Sequence, residues 1–384
     1  MQIHYSLNFK LILKKKNNRK MKIKEIVKPL EEFAPLFLQE SYDNSGLLLG
    51  HPDNTINKVL ITLDITEEIM EESIRKECNL IISHHPLIFY GLKSITGKNA
   101  TERMVQKAIK NDIGIYAFHT NLDNTDKGVN EIFCDKLGLK NRKILSPKKE
   151  MLRKLVTFCP TEHAENVRKA LFEAGAGNIG NYDNCSFNTP GTGSFRGSDK
   201  ANPFVGEKGK LHYENEIRIE TIYPVFLEEN ILKALFSAHP YEEVAYDIFR
   251  LENKSSHEGA GMIGELEYET DESDFLNFLK NIIKTGCIRH SGLIGKKIKK
   301  VAVCGGSGSF LIQDAIKADA DIFITGDVKY HDFFEAENKI VIADIGHYES
   351  EQFVKELIYN VLKNKFPTFA VLISEINTNS VNYL

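Results

Sequence analysis

The chain has 384 residues, 42% of them hydrophobic and 27% charged, with a formal net charge of −4. That length exceeds one comfortable core and implies two or three domains, while the composition is that of a globular protein and excludes a disordered one. The small charge supplies no field to draw nucleic acid or an anionic membrane, and no run approaches the roughly 18 apolar residues of a membrane span.

Residues 1–20 read as a disordered extension. Their apolar patch, Leu7 to Leu13, precedes the basic residues Lys14, Lys15, Lys16, Arg19 and Lys20, the reverse of a secretory signal. Ordered periodicity begins at Met21, which is also a candidate start. Residues 22–40 show helical spacing, and a glycine-containing loop follows at 41–50. Residues 58–64 (KVLITLD) read as a buried strand, and Thr66 caps a helix over TEEIMEESIRKE. Residues 79–83 (NLIIS) form a second strand. A helix over 102–111 leads to a third strand, 114–118 (GIYAF). Strands alternating with helices predict a largely parallel sheet.

From about residue 152 the order changes to strand, helix, strand, strand, helix, strand. That is βαββαβ, the ferredoxin-like order. The stretch 191–209 (GTGSFRGSDKANPFVGEKG) lies between its two central strands as a long loop. The first rhythm then returns. Residues 300–304, 321–325 and 340–345 read as strands, with helices over 310–318 and 331–337 and a long one over 347–363. The predicted organisation is an α/β domain in two parts, 21–149 and 256–384, split by an inserted α+β domain over 150–255.

In open parallel sheets, ligands gather outside the carboxyl ends of the strands. His84, His85 and Pro86 follow the strand NLIIS. His119, Asn121 and Asp123 follow GIYAF, and His347 follows IVIADI. Glu351 lies four residues after His347, on the same helical face. Adjacent histidines leaving a strand diverge, which suits two ions better than one. Three imidazoles and two carboxylates suit zinc, manganese, iron or cobalt, with open positions left for activating water. The six cysteines include no C-x-x-C pair, which argues against a thiolate zinc site or a disulfide framework and fits a reducing, cytoplasmic setting.

Other patterns carry less. GAGMIG (259–264) matches G-x-G-x-x-G but lacks a clear preceding strand. Gly305 to Gly308 is either an anion-binding turn or simply a tight one. Lys329 and His331, in GDVKYH, could face a phosphate or donate a proton. HPYEE (239–243) reads as structural.

Together YDNSGLLLG (42–50), ISHHPLIF (82–89), FHTNLD (118–123), GAGMIGEL (259–266), ITGDVKYHDF (324–333) and IGHYESE (345–351) resemble the Nif-three-like family, also called GTP cyclohydrolase I type 2 homologues. They follow the family order across nearly the whole chain from Met21. Tyr42 stands where many members have Trp. The resemblance implies a two-lobed α/β fold and a ring-shaped homohexamer. It also implies two divalent metal ions per chain on His84, His85, Asp123, His347 and Glu351, with Glu351 as the bridge. The insertion is similar to the PII/CutA-like domain of longer members. The implied activity is metal-dependent hydrolysis of a nucleotide or another phosphorylated small molecule, GTP ring opening included. Candidate helpers are Asp43, His119, Lys329 and His331. The alternative is a non-catalytic, metal-dependent scaffold or regulatory ring. Neither nucleic acid nor a membrane is an expected partner.

Overall fold

Each central strand carries an unbroken apolar run because both of its faces are covered. The structure, a computed structural model, describes residues 20–384, so the expected extension lies almost wholly outside the described residues. The chain divides into two compact units, the residues through Ser146 together with Ser256–Leu384, and Pro147–Ser255.

In the first unit, helix α1 (Ile23–Phe33) leads to β1 (Gly46–Leu49), β2 (Lys58–Thr62), α2 (Glu67–Arg75), β3 (Leu80–Ser83), α3 (Ala100–Lys110) and β4 (Gly114–Ala117). Strands β2, β3 and β4 pair in parallel, and β1 closes one side antiparallel to β4. Val59, Ile61, Leu80 and Ile82 enter one core cluster, whereas Leu60 and Ile81 enter the cluster on the opposite face. Thr66 caps α2 by accepting from the Ile69 amide at 3.3 Å. The short helix α4 (Thr120–Asp123), helix α5 (Val129–Leu137) and strand β5 (Lys140–Pro147) follow. Reading 41–50 wholly as a loop missed β1, in which Gly46, Leu47 and Leu49 pair along β4 around an irregularity at Leu48.

The second unit runs β6 (Leu152–Pro160), α6 (Ala164–Glu173), β7 (Phe187–Phe195), β8 (His212–Pro224), α7 (Glu228–Ala238) and β9 (Tyr246–Leu251). Its sheet order is β9-β6-β8-β7, antiparallel throughout. That is the arrangement the βαββαβ order dictates, with each helix carrying the chain back across one sheet face. Its own core joins Leu155, Val167, Leu171, Tyr223 and Leu235. The glycine-rich stretch is shorter as a loop than expected, since β7 extends to Phe195 by pairing with His212.

The first unit resumes with β10 (Gly259–Asp271), α8 (Glu272–Ile283), β11 (Arg289–His290), β12 (Lys297–Ser307), α9 (Ile312–Lys317), β13 (Ile322–Gly326), β14 (Val341–Asp344), α10 (His347–Glu351), α11 (Val354–Lys365) and β15 (Ala370–Ile373). Strand β15 pairs in parallel with β2 and completes a five-stranded sheet, while the others form a six-stranded sheet in the order β11-β14-β13-β12-β10-β5. Alternation again sorts the side chains. Val301, Val303, Ile322 and Ile324 face one core, and Ala302 and Phe323 the other.

GAGMIG lies inside β10, paired with β12, in keeping with the reading that it is not a strand-to-helix phosphate turn. Two expectations need correction. The long helix over 347–363 is two helices, α10 and α11. At the joint the Gln352 side chain donates to the Ile283 carbonyl at 2.9 Å. Residues 331–336 fall in a 3-10 turn, Tyr330–Ala336, which Glu337 caps, in place of an α-helix.

One buried carboxylate organises the entrance to α3. Glu102 accepts from the Thr96 and Gly97 amides, each at 2.9 Å, while Asn99 caps the helix by accepting from the Glu102 amide at 2.8 Å. Burial pushes the Glu102 carboxyl up, but the Thr96 and Lys98 donors outweigh it and hold it down to about 2. A carboxylate held below its ordinary value contributes fully above that ordinary value and ceases to as pH falls toward the folded one. Glu102→Gln is therefore expected to be less stable than the parent at pH 7. Thermal melts should show the gap narrowing between about pH 4.5 and pH 2; a gap independent of pH would contradict this.

Candidate metal centre

The carboxyl ends of both sheets carry the titratable side chains singled out in the sequence. His84 and His85 leave β3 directly, their amides bonded to the Thr62 and Leu63 carbonyls at 3.2 and 3.0 Å. His119 follows β4, and Asp123 ends α4. His347 and Glu351 are the first and last residues of α10.

These residues meet. Glu351 turns one oxygen, Oε1, toward His84 Nε2 at 3.6 Å. Its other oxygen, Oε2, lies 3.0 Å from His85 Nε2 and 3.1 Å from His347 Nε2. Asp123 Oδ1 also lies 3.6 Å from His84 Nε2. The ring of His119 stands 5.3 Å from that of His84 and 5.4 Å from that of His85. Three overlapping sets of donors result, each within 4.8 Å: His84, His85 and His119; His85, His347 and Glu351; His84, Asp123 and Glu351.

Every ring is oriented from behind. The Nδ1 atom of His84 contacts the Phe118 carbonyl at 2.8 Å, that of His85 contacts Asp64 at 2.7 Å, that of His119 contacts Asp43 at 2.6 Å and that of His347 contacts Asp327 at 2.6 Å. An oxygen acceptor places the proton on Nδ1 and leaves Nε2 facing the cluster as a donor of electrons. Asp64 is in turn bonded by the Thr378 hydroxyl at 2.8 Å.

The residues fit a cation. His84 Nε2 and Asp123 Oδ1 are buried without a hydrogen-bond partner, a costly condition that a shared ion removes. Their 3.6 Å separation is too long for a hydrogen bond. It is close to the distance between two donors each about 2.0–2.2 Å from one ion. Electrostatics agree. Burial opposes charge on His85 and His347, yet the aspartates behind them and Glu351 in front raise them to about 10 and about 11. Burial and the Glu351 charge push Asp123 up to about 7. Burial also works against the Glu351 carboxylate, but the surrounding imidazoles hold it well below the usual carboxylate range. Proton uptake is thus favoured at His85, His347 and Asp123, while Glu351 keeps its negative charge at the centre of the cluster.

Two clefts open on it. One, of about 660 Å³, is lined by Asp64, His85, Phe89, His347 and Tyr348, and the other, of about 440 Å³, by Tyr42, Asp123, Cys304 and Glu351. His119 lines both. Asp43 is set behind it, accepting from the Asn44 amide, from Ser45 Oγ at 2.8 Å and from Thr120. Burial pushes its carboxyl up, but His119, Thr120 and Ser45 outweigh that and hold it far below the usual range.

Lys329 and His331 are not brought to the cluster. Both are exposed, Lys329 as the cap before the 3-10 turn and His331 on it, and line neither cleft; the Lys329 amide donates to Asp332 at 3.2 Å. Nor is Gly305 to Gly308 an anion cradle. The amides of Gly305, Gly306 and Gly308 are taken by Asn130, Ser350 and Thr325, each at 2.9 Å. Asp64 and Asp327 escaped the sequence reading. Each ends or follows a strand at the same sheet edge, which was the available signal.

Residues 21–380 match the family described as Duf34/NIF3 (NGG1p interacting factor 3). A Bacillus subtilis protein named GTP cyclohydrolase 1 type 2 homolog is 38% identical over 367 residues, covering 94% of this chain and 98% of its own length. The homolog of that name from Halalkalibacterium halodurans is 39% identical over 364 residues, with the same coverage. Among solved structures, a Bacillus cereus protein related to NIF3 superposes with a TM-score of 0.80 at 39% identity, covering 95% of this chain and 99% of that one. A Staphylococcus aureus protein does so with a TM-score of 0.77 at 31% identity, with the same coverage. With so much of both chains aligned at this identity, the protein belongs to the Duf34/NIF3 family.

Proposed function

We propose that this protein is a metal-dependent hydrolase of a nucleotide or another phosphorylated small molecule. Two divalent ions would be held by His84, His85, Asp123, His347 and Glu351. The observation that carries this reading is the split carboxylate of Glu351, whose two oxygens face different donor sets. Imidazole and carboxylate together suit zinc, iron, manganese or cobalt. Bound there, such ions would lower the pKa of water and neutralise charge developing on a phosphoryl or ring atom.

The chain's own contribution is to orient, exclude and carry protons. Asp64 and Asp327 fix the His85 and His347 rings, as Asp43 fixes His119. His119 Nε2, left free by its Nδ1 contact to Asp43, can take a proton from an attacking water or return one to a leaving group. Phe89, Tyr348 and Tyr383 give the larger cleft ring faces on which a purine could stack. The name borne by the relatives makes GTP the first nucleotide to test. Metal-loaded protein should turn over a member of a nucleotide and phosphoester panel, and His84→Ala should abolish that turnover with the fold intact. A metal-dependent partner interaction without turnover of any substrate would favour the scaffold reading instead.

Asp64→Ala tests the orienting role. Loss of the carboxylate behind a ligating imidazole weakens metal binding by about 10- to 100-fold. Competition with a fluorescent chelator measures this, and unchanged affinity would contradict it. We also propose a homohexameric ring, which would cover the exposed side chains of Phe310, Tyr330 and Phe334. Sedimentation equilibrium at a monomer mass would exclude it. Among the described residues no helix is long and apolar enough to cross a membrane. The cytoplasmic placement we propose rests instead on the six cysteines, none of them in a C-x-x-C pair.

A further inference from the structure

The inserted unit holds a cavity of about 610 Å³, within the range of small-molecule sites. It is lined by residues of β6, β7 and β8 and by the segments around Phe204 and Tyr241. At its base lies Glu216, only 9% exposed. The carboxylate accepts one hydrogen bond, from the Tyr241 hydroxyl at 2.8 Å, and no cation is paired with it among the described residues. Arg218, on the same strand face, is engaged by Glu220 at 3.0 Å. A buried carboxylate with one neutral donor is an expensive group to keep, and its negative charge is open to the cavity.

The surroundings are built to keep it there. A Cβ on Gly193 would lie 2.1 Å from Glu216 Oε2, so the glycine leaves room for the carboxylate where it now stands. Tyr241 stands 6.0 Å from the ring of Phe195 and 6.3 Å from that of Phe204. Of the five charged residues lining the cavity, Glu216, Glu242 and Glu243 are acidic, against Arg196 and the already paired Arg218. Aromatic faces around a desolvated carboxylate attract a positively charged group attached to an apolar body. They repel a phosphate or carboxylate ligand.

We propose that this cavity is a binding site for a small organic cation, an ammonium on an aromatic or aliphatic body, with Glu216 as its counter-ion and Phe195, Phe204 and Tyr241 as its walls. The site is separate from the metal reading and stands or falls without it. The test is titration of the full chain, by calorimetry and saturation-transfer NMR, with 2-phenylethylammonium, neutral 2-phenylethanol and anionic 3-phenylpropionate. The ammonium should bind about tenfold or more tightly than the alcohol, and the anion should not bind. Glu216→Gln keeps the side-chain shape and should erase that tenfold preference. Phe204→Ala removes an exposed ring, so it folds even if Glu216→Gln does not, and should weaken the ammonium about threefold. Equal binding of ammonium and alcohol, wild-type affinity in both variants, or no binding at millimolar ligand would overturn the proposal. So would binding that a metal chelator abolishes, since that would place the ammonium on the histidine cluster.

Discussion

In the Glu351→Ala protein, divalent metal retained after dialysis falls from about two ions per chain to near zero, and a chelator no longer lowers the melting temperature. Glu351 is shared by the set containing His85 and His347 and the set containing His84 and Asp123. Among the described residues no other carboxylate spans the two, so truncating it opens both at once. The parent protein should behave differently. An ion present at about 1,000 times its dissociation constant stabilises the folded state by about 4 kcal/mol. For a unit of this size each kcal/mol shifts the melting temperature by about 2–4 °C. Chelation should therefore lower the parent's melting temperature by at least roughly 8–16 °C, the contribution of a single ion. The variant, without an ion to lose, should show no shift. Full metal content in the variant would mean that Glu351 bridges nothing.

Gly128→Ala is expected to destabilise the protein more than any surface change, and to disturb the cluster as well. A Cβ at this position would sit 1.8 Å from the Leu122 carbonyl oxygen and 2.9 Å from Thr125 Cγ2. The first obstacle is backbone and cannot rotate away. Gly128 closes the turn by donating to the Thr125 carbonyl at 3.1 Å and is the N-cap of α5. Two residues on, Asn130 Nδ2 donates to the Asp123 carbonyl at 3.1 Å. Making room for the methyl therefore moves the segment that carries Asp123. Forced backbone shifts of this kind cost about 3 kcal/mol or more, or roughly 6–12 °C in melting temperature. Gly91→Ala is the control, since a Cβ there meets nothing within 4 Å. Equal melting temperatures for the two variants would contradict the packing argument.

Much of this arrangement is written locally in the chain. The runs KVLITLD, NLIIS and IVIADI are mostly apolar because both faces of β2, β3 and β14 are buried, so their carboxyl ends are visible as the points where polar residues resume. His84, His85, Asp123, His347 and Glu351 stand at or just beyond such points. What the sequence hid depends on segments distant along the chain. Asp64 and Asp327 look like solvated turn residues until the His85 and His347 rings are placed against them. Gly305 to Gly308 looks free to bind an anion until Asn130, Ser350 and Thr325 arrive from three other segments. Strand β5 escaped because its first half is exposed and carries Lys140, Arg142 and Lys143, a pattern no different from a loop. Lys329 and His331 share a motif with Asp327, yet the 3-10 turn leaves both exposed, away from the clefts.

The central claim is that donors from the two sheets of one unit converge on shared cations. Anomalous diffraction from crystals of the full chain grown with manganese or zinc addresses it directly. The account predicts two peaks flanking the Glu351 carboxylate, one beside His84 and Asp123 and the other beside His85 and His347. A map with no anomalous density at Glu351, or with the ions held only at other residues, would contradict it.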